Sequence, residues 1–576
     1  MPTQEAQLAA KGTTLAAPTL LYSHSNNTSW SASTESPAYG ASASKLETIE
    51  TDDSPATKEK KGKGLHFWLV FLAICTSCFL SALDFTAVST VLPTIAHDFD
   101  SPHYGWVGSA YALTSTCLIP WTGGLAFIFG RRAVLLAALF VFGIGSAICG
   151  ASHSMEMLIA GRALQGCGGG AVLATGEIIV VDLVPIVERG LYFGLLGFTW
   201  AGASAIGPPI GGALATANAW RWLFYLNLPL TGIAMVLVAF FLRIKTPQTT
   251  LKEKLDQMDY VSNLLFVASS TSTILGLTWG GVDYEWSSYK VLVPLILGLV
   301  GMAVFIFLER SFVKVPTVPF EILNTRTSIL GYLTTWLHGI IVMSALYCLP
   351  LYFTACFGAS PIQSGVDLFP VSFVVAPFAI FAGISITVTG HYRWQNLAGW
   401  VICVVAFGVM TLFKANSEKS LWVPVTAVLG VGGGILFSTT NFAALAGIKP
   451  SQQPHGMAFY AFTRSFGQCV GISVATTIVQ NRLAQRLPLQ VAAAFGNGKD
   501  AVAAIPLIAK LDAPWNTLVR MAFADSLRTL WLVCCAVSGV GLVLSVFIKS
   551  IPLATESDEN WGLEDRQSVE TEEEKV

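Results

Sequence analysis

The sequence predicts an all-α integral membrane protein of fourteen spans, arranged as two parallel six-helix bundles with an extra two-helix hairpin between them. Three observations carry this expectation: the composition, the recurrence of long apolar stretches, and an internal repeat. Of the 576 residues, 53% are hydrophobic and 12% charged, and the mean hydropathy is +0.61. An ordinary soluble domain carries roughly a quarter charged residues, and a single soluble core stops growing near ~250–300 residues. The net charge of −2 leaves no basic footprint for nucleic acid. Soluble enzymes, disordered chains and nucleic-acid binders are thereby excluded.

A helix needs about 20 apolar residues to cross a bilayer. Stretches of that kind lie at 67–92, 104–128, 133–151, 156–181, 191–216, 222–243, 260–280, 290–309, 328–350, 362–387, 396–413, 421–447, 457–480 and 527–549. They divide the chain into a polar N-terminal tail, 1–66, a first six-span bundle, 67–243, and a linker, 244–327, that holds the hairpin 260–309. A second six-span bundle, 328–549, and an acidic tail, 550–576, follow. The first tail is rich in Ser, Thr and Ala, reads as disordered, and ends in Lys58, Lys60, Lys61 and Lys63. With the N-terminus inside, the inner loops carry Arg131, Arg132, Arg189, Lys252, Lys254, Arg310, Arg393 and Lys449 among others. The short outer loops carry only Arg221, Lys290, Lys414 and Lys419. This bias places both tails in the cytoplasm. The eleven cysteines are scattered through the spans, and the Cys75/Cys78 pair, inside an apolar helix, reads as packing.

The two bundles repeat one another. Leu92-Pro93 recurs as Leu349-Pro350, and Gly123 and Gly130, with Arg132 behind, recur as Gly383 and Gly390 with Arg393 behind. The glycine run Gly166–Gly170 recurs at Gly430–Gly434, and Ala203 and Gly207 recur as Gly467 and Gly471. The offsets stay between 257 and 264 residues and pair span 1 with 9, 2 with 10, 4 with 12 and 5 with 13. Partners eight spans apart share one orientation, so the repeat is parallel. That is the layout of carriers whose halves rock about a central site.

These residues resemble the major facilitator superfamily, in its fourteen-span drug:proton antiporter branch, and most resemble fungal toxin and multidrug efflux pumps. The resemblance runs over about residues 66–549. It is carried by Leu83-Asp84-Phe85-Thr86, Gly123 to Arg132, Leu158-Ile159-Ala160-Gly161-Arg162 with Gln165-Gly166, and Gly207-Pro208-Pro209-Ile210-Gly211-Gly212. Trp220 to Tyr225 with Asn227 and Pro229, and Leu349-Pro350 with Ser364-Gly365, complete it. The family implies proton-coupled transport of small organic compounds by alternating access. Gly194, Ala203, Gly207, Pro208, Gly211 and Gly212 resemble the antiporter motif of exporters, with alanine at 203 where the pattern has glycine. Gly123, Gly130, Arg131 and Arg132 resemble the signature cytoplasmic loop. Phe127 stands where the family usually has a polar, often acidic, residue. Asp182 and Glu188, on the neighbouring inner loop, are expected to pair with Arg131 or Arg132 instead.

Charge inside a span is costly and faces a protein interior or a wet cavity. Asp84, about eight residues from the outer end of span 1, and Arg162, about six from the outer end of span 4, reach similar depth at 1.5 Å per residue. They are expected to lie close, with Asp84 as proton carrier and Arg162 tuning it, since arginine keeps its charge. The counterpart of Arg162 in span 12 is Thr426. Glu177, near the inner end of span 4, joins the coupling set; His338, Asp367 and Arg464 are candidates for a substrate cavity. No cofactor or metal is expected. Gly498-Lys499 precedes Asp500 and makes no phosphate-binding loop, and no catalytic cluster points to an enzyme. The expectation is therefore a monomeric, multi-pass exporter of toxins, drugs or secondary metabolites, whose partners are substrate, protons and lipid. It would sit in the plasma membrane, with the vacuolar membrane as a second location. The alternative is the same fold used for uptake or vacuolar transport of siderophores or basic amino acids.

Overall fold

The computed structural model describes residues 63–99, 105–244, 250–256, 258–281, 284–313, 316–492 and 505–553. The expectations for the tails 1–66 and 550–576 lie outside the described residues, apart from 63–66 and 550–553. Fourteen long helices are described. They are α1 (Leu65–Phe99), α2 (Gly105–Phe129), α3 (Arg131–Gly150), α4 (Met155–Leu183), α5 (Arg189–Thr216), α6 (Arg221–Phe241), α7 (Tyr260–Trp279) and α8 (Tyr289–Ser311). The second half holds α9 (Arg326–Phe357), α10 (Phe369–Thr389), α11 (Arg393–Met410), α12 (Lys419–Leu445), α13 (Gln453–Arg486) and α14 (Trp515–Val546). A short helix, Pro361–Val366, precedes α10.

Twelve of these helices are long and apolar enough to cross a membrane. The two outside that number are α5 and α13, so the fourteen spans read from sequence are not established by length and composition. The physical reason lies in what surrounds these two helices. α5 packs between α1 and α10, and α13 between α9 and α2, so protein covers much of the surface that lipid would otherwise demand to be apolar. Small residues and polar ones such as His455, Arg464 and Gln468 replace leucine there. Other boundaries shift too: α1 runs on to Phe99, and α14 starts at Trp515, twelve residues before the expected 527, because helical pairing continues past the apolar stretch.

The packing within each half follows one scheme. α1 contacts α4, α5 and α6; α4 also contacts α2 and α3; and α3 contacts α6. In the second half α9 contacts α12, α13 and α14; α12 also contacts α10 and α11; and α11 contacts α14. The halves meet along two seams, α5 with α10 and α2 with α13, which the repeat exchanges with one another. Close approach is made by glycine. A Cβ on Gly207 would fall on Thr86 Oγ1 and lie 3.1 Å from the Ala87 nitrogen of α1; its counterpart Gly471 abuts the Ile340 carbonyl of α9. At the first seam the Gly190 and Gly383 backbones touch, and at the second Gly123 faces Ala458. Small-residue contacts of this kind let membrane helices pack without a hydrophobic drive. Gly130 and Gly390, which join α2 to α3 and α10 to α11, have φ of 91° and 68°. Only glycine adopts such values without strain, which gives the two repeated loop glycines a backbone reason.

The hairpin α7–α8 lies along the α2/α13 seam and touches both halves. Trp279 meets Trp106 of α2 with ring centroids 6.2 Å apart, and Thr477 of α13 donates to the Gly280 carbonyl at 3.0 Å. Ile274 sits with Cys117 and Cys469, and Phe266 packs on Phe462 at 5.0 Å.

The helix-to-helix glycine contacts predict a sharp contrast. Gly190→Val, which would drive a side chain into the α10 backbone, should cost about 1–3 kcal/mol or more, whereas Gly202→Ala points into open space and should be near neutral. Thermal unfolding of the purified protein checks both; equal melting points would refute the seam.

Candidate functional site

Asp84 and Arg162 meet inside the first half. Arg162 Nη1 donates to Asp84 Oδ2 at 2.5 Å, and the two side chains are 1% and 0% exposed. Four helices complete the site around α1. Gln165, one turn beyond Arg162 on α4, donates from Nε2 to Asp84 Oδ1 at 2.8 Å and to Ser146 Oγ of α3 at 2.7 Å. Asn227 of α6 donates to the same Asp84 oxygen at 2.7 Å. Arg162 also donates from Nε to the Val107 carbonyl of α2, at 3.0 Å, and from Nη1 to Gln165 Oε1, at 2.6 Å. Its guanidinium lies 4.5 Å from the Tyr111 ring centroid and 5.8 Å from that of Phe224. Both carboxylate oxygens thus accept hydrogen bonds, and the charge is paired within one half. A buried charge persists only when paired and hydrogen-bonded in this way.

A second buried pair crosses between the halves. Arg464 of α13 donates through Nη2 to Glu177 Oε1 of α4. The guanidinium also lies over the Phe437 and Tyr460 rings, 5.3 and 5.4 Å from their centroids. The sequence placed Glu177 with the proton-coupling residues and Arg464 with the cavity candidates; the fold joins them. The third candidate, His338, is buried in α9 beside the Gly433 backbone, and neither ring nitrogen makes a hydrogen bond of good geometry. Asp367 stands apart, at the end of the short helix 361–366, where Gln363 Nε2 donates to it at 2.8 Å.

The loop residues also separate into distinct roles. Arg131 Nε donates to Asp182 Oδ2 at 2.8 Å, both side chains fully buried, so this pair links α3 to α4. Glu188 lies 3.7 Å from Lys63 Nζ, and Arg132 donates to the Ala239 carbonyl of α6. Phe127 reaches across the second seam onto His455, with ring centroids 4.9 Å apart. Arg189 Nη2 crosses to Gln453 Oε1 at 2.6 Å. These two residues are exactly one repeat apart, 264 positions, so the repeat axis pairs equivalent helix starts. In the glycine-rich segment of α5, Gly207 and Gly211 face α1, and the buried Ala203 packs with Ala82 and Leu83. Gly194 faces Ile380 of α10, while Pro208 and Gly212 face Gly365 and Ile362 of the short helix.

Sequence reasoning left Gln165 and Asn227 without a role, although both stood among the family-like motifs. It missed Ser146, Gln453 and His455 altogether. Ser146 and Gln453 carried no local signal, and the partner of Phe127 lies more than 300 residues away.

The Major Facilitator Superfamily model matches residues 74–472. Similar curated proteins are the MFS-type efflux pump LUC4 of Fusarium sp., 37% identical over 90% of this chain and 94% of its own, and the efflux pump FUS6 of Gibberella fujikuroi, 36% identical over 90% and 95%. The MFS transporter L2 of Phoma sp. is 35% identical over 89% of this chain and 86% of its own. Among solved structures, the human organic anion transporter MFSD10 aligns with a TM-score of 0.54 at 15% identity, covering 84% of this chain and all of that one. The proton:xylose symporter XylE aligns with the same score at 11% identity. These two likenesses concern the fold.

The Asp84 network predicts that Asp84→Leu, which strands a buried guanidinium, should lose about 3–5 kcal/mol of stability. Adding Arg162→Met should recover most of that loss, giving strongly non-additive effects in a double-mutant cycle. Additive losses would show that the two side chains do not act as a pair.

Proposed function

The chain belongs to the major facilitator superfamily, and from that premise we propose that it is a proton-coupled exporter of small organic compounds working by alternating access. Near-full-length relatives named as efflux pumps support the direction of transport. The observation that carries the mechanism is the ion pair between Glu177 and Arg464, because it is buried and joins the two halves that must part.

On this reading the face where α1 begins and α14 ends is cytoplasmic, and in the arrangement described it is held shut. The contacts that hold it are mostly neutral: Arg189 to Gln453 Oε1, Thr387 to the Val187 carbonyl, the Gly190–Gly383 backbone contact and the Phe127–His455 ring pair. A neutral hydrogen bond contributes about 0.5–1.5 kcal/mol net and one from a charged group such as Arg189 about 1.5–3 kcal/mol, so such a closure is readily reversed. The acidic residue usual in the family is replaced by Phe127, and Asp182 takes over the fixing of Arg131. That pair lies within one half, so it shapes the loop and adds no ion pair to the closure, whose one charged group is the Arg189 guanidinium.

Coupling uses Asp84, Arg162 and Glu177. A proton arriving at Glu177 neutralises it and removes the charge attraction across the halves, which frees them to reorient. Asp84 exchanges a proton only once Arg162 withdraws, so its state reports the arrangement of α1, α4 and α6 within the first half. The pivot is the α5 segment with Gly194, Ala203, Gly207, Pro208, Gly211 and Gly212, which meets α1 on one side and α10 on the other. The halves are 67–243 and 328–549, with the hairpin as an added element. The protein acts as a monomer in the plasma membrane, both termini cytoplasmic, and needs no cofactor. It is a transporter by family and no enzyme.

Three measurements test the reading. Cells carrying the protein should accumulate less of a transported toxin, and a protonophore should abolish the difference; faster uptake would reverse the direction. Glu177→Gln and Asp84→Asn should each remove gradient-driven efflux while surface expression stays normal. Asp182→Asn with Glu188→Gln should slow transport through the loosened Arg131 loop; unchanged transport would remove these residues from the gate.

A further inference from the structure

The hairpin α7–α8 carries a groove for which the transport reading has no use. It lies between the two helices at the end where they are joined, and its volume is about 390 Å³, within the range of small-molecule sites. Val293 and Leu297 on its wall are 50% and 62% exposed, so the groove faces lipid. Its mouth is aromatic and basic. Trp279 ends α7, Tyr284 lies in the connecting loop, and Tyr289 and Lys290 open α8. Tryptophan and tyrosine in such a place mark the membrane–water interface. Lys290 Nζ lies 4.3 Å from the Tyr284 ring centroid and has no ion pair or hydrogen bond among the described residues.

Below the mouth the walls are apolar, down to the floor where Ser272 donates to the Pro294 carbonyl at 2.7 Å. From Trp279 to Ser272 and from Tyr289 to Leu297 the walls run ~10–12 Å at 1.5 Å per residue. One leaflet of the hydrocarbon core is ~15 Å deep, so the groove ends within it. Pro294 has a second effect. A helical carbonyl points at the N–H four residues on, and proline has none, so the Lys290 carbonyl lacks its helical partner. That carbonyl lies between Lys290 and Pro294, both of which line the groove. The mouth thus offers an acceptor and a cationic donor from one residue.

A hydroxyl satisfies both, because it donates and accepts. A phosphate only accepts, and the loop that would receive it carries Asp283 and Glu285 against Lys290 alone. A choline ammonium needs an aromatic face, and the Lys290 ammonium already covers that of Tyr284. A flexible chain fills the apolar walls but must be ordered to do so, a cost that a rigid body escapes.

We propose that this groove binds a membrane sterol, its hydroxyl donating to the Lys290 carbonyl and accepting from Lys290 Nζ, its fused rings lying on Val293 and Leu297. The residues Val282, Tyr284 and Lys290 also satisfy the short Leu/Val, Tyr, Lys/Arg pattern proposed for cholesterol contact. Trp279, one wall of the groove, meets Trp106 of α2, so the sterol stands against the hairpin where it grips the first half. The site is independent of the direction and coupling of transport.

The test places the full-length protein in phosphatidylcholine nanodiscs with a sterol that carries a photoreactive diazirine on its rings, and maps the labelled residues by mass spectrometry. Label should concentrate on residues 279–297. Excess cholesterol should displace it, and cholesterol methyl ether, which has lost the donor, should compete about fivefold less well. Lys290→Leu should weaken labelling there about tenfold. Val293→Trp, which fills the groove from an exposed position, should abolish it and decides the matter should the first variant not fold. Label spread evenly over the lipid-facing helices, equal competition by the ether, or label that survives both substitutions overturns the site. Displacement by phosphatidylserine and not by cholesterol overturns the sterol in favour of an anionic phospholipid.

Discussion

The cost of charge away from water governs this structure. A charged side chain at membrane depth has to find its partners inside the protein, and the interior of this one is arranged around the few charges it keeps. Asp84 draws side chains from α1, α3, α4 and α6 to one point, with α2 supplying a carbonyl. The same constraint explains why α5 and α13 depart from the apolar composition of the other long helices. Helices wrapped by other helices are free to carry glycine, glutamine and arginine, and those residues are where seams and ion pairs form.

The repeat makes the two halves alike in backbone and unlike in chemistry. Gly207 of α5 against α1 and Gly471 of α13 against α9 are the same contact made twice, and Arg189 with Gln453 pairs equivalent helix starts across the axis. The buried charges do not follow this symmetry. The counterpart of Arg162 is Thr426, buried and hydrogen-bonded to the Trp422 carbonyl of its own helix. The counterpart of Glu177 is Asn441, also buried. Duplication supplied a frame that can rock, and divergence placed two charge pairs, Asp84–Arg162 and Arg131–Asp182, in one half and a shared pair, Glu177–Arg464, between the halves.

Much of the fold was legible because it rests on local chemistry. Apolar length gave the helices, the Leu-Pro recurrence gave the pairing of α1 with α9, and glycine offsets gave that of α5 with α13. The left-handed glycines at 130 and 390 were visible as repeated loop residues before their backbone angles were known. Asp84 and Arg162 were placed together by depth and by membership of one bundle, since both sit a similar distance from the outer ends of their helices. What stayed hidden depends on rotation about helix axes and on contacts across the seams. Depth does not say which way Glu177 and Arg464 point, and nothing near Phe127 in the chain indicates that His455 will be its partner. The hairpin was recognised as an insertion, but its seat on the α2/α13 seam follows from Trp106, Phe462 and Thr477, residues that belong to other elements.

That seat breaks the equivalence of the two seams. The α2/α13 seam is bridged along its length by α7, through Trp279 to Trp106, Ile274 between Cys117 and Cys469, and Phe266 on Phe462. The α5/α10 seam is closed by backbone contact at Gly190 and Gly383 and by the short helix 361–366 resting on Pro208 and Gly212. One seam is therefore tied by a third body that grips both halves, and the other by contacts between the halves themselves. Rocking that separates α2 from α13 must carry α7 with it or strip its aromatic contacts; rocking that separates α5 from α10 strips nothing beyond the seam. The glycine-rich segment of α5, proposed as the pivot, lies at the seam that no third body ties, where α5 and α10 can turn on one another without stripping the aromatic contacts of α7.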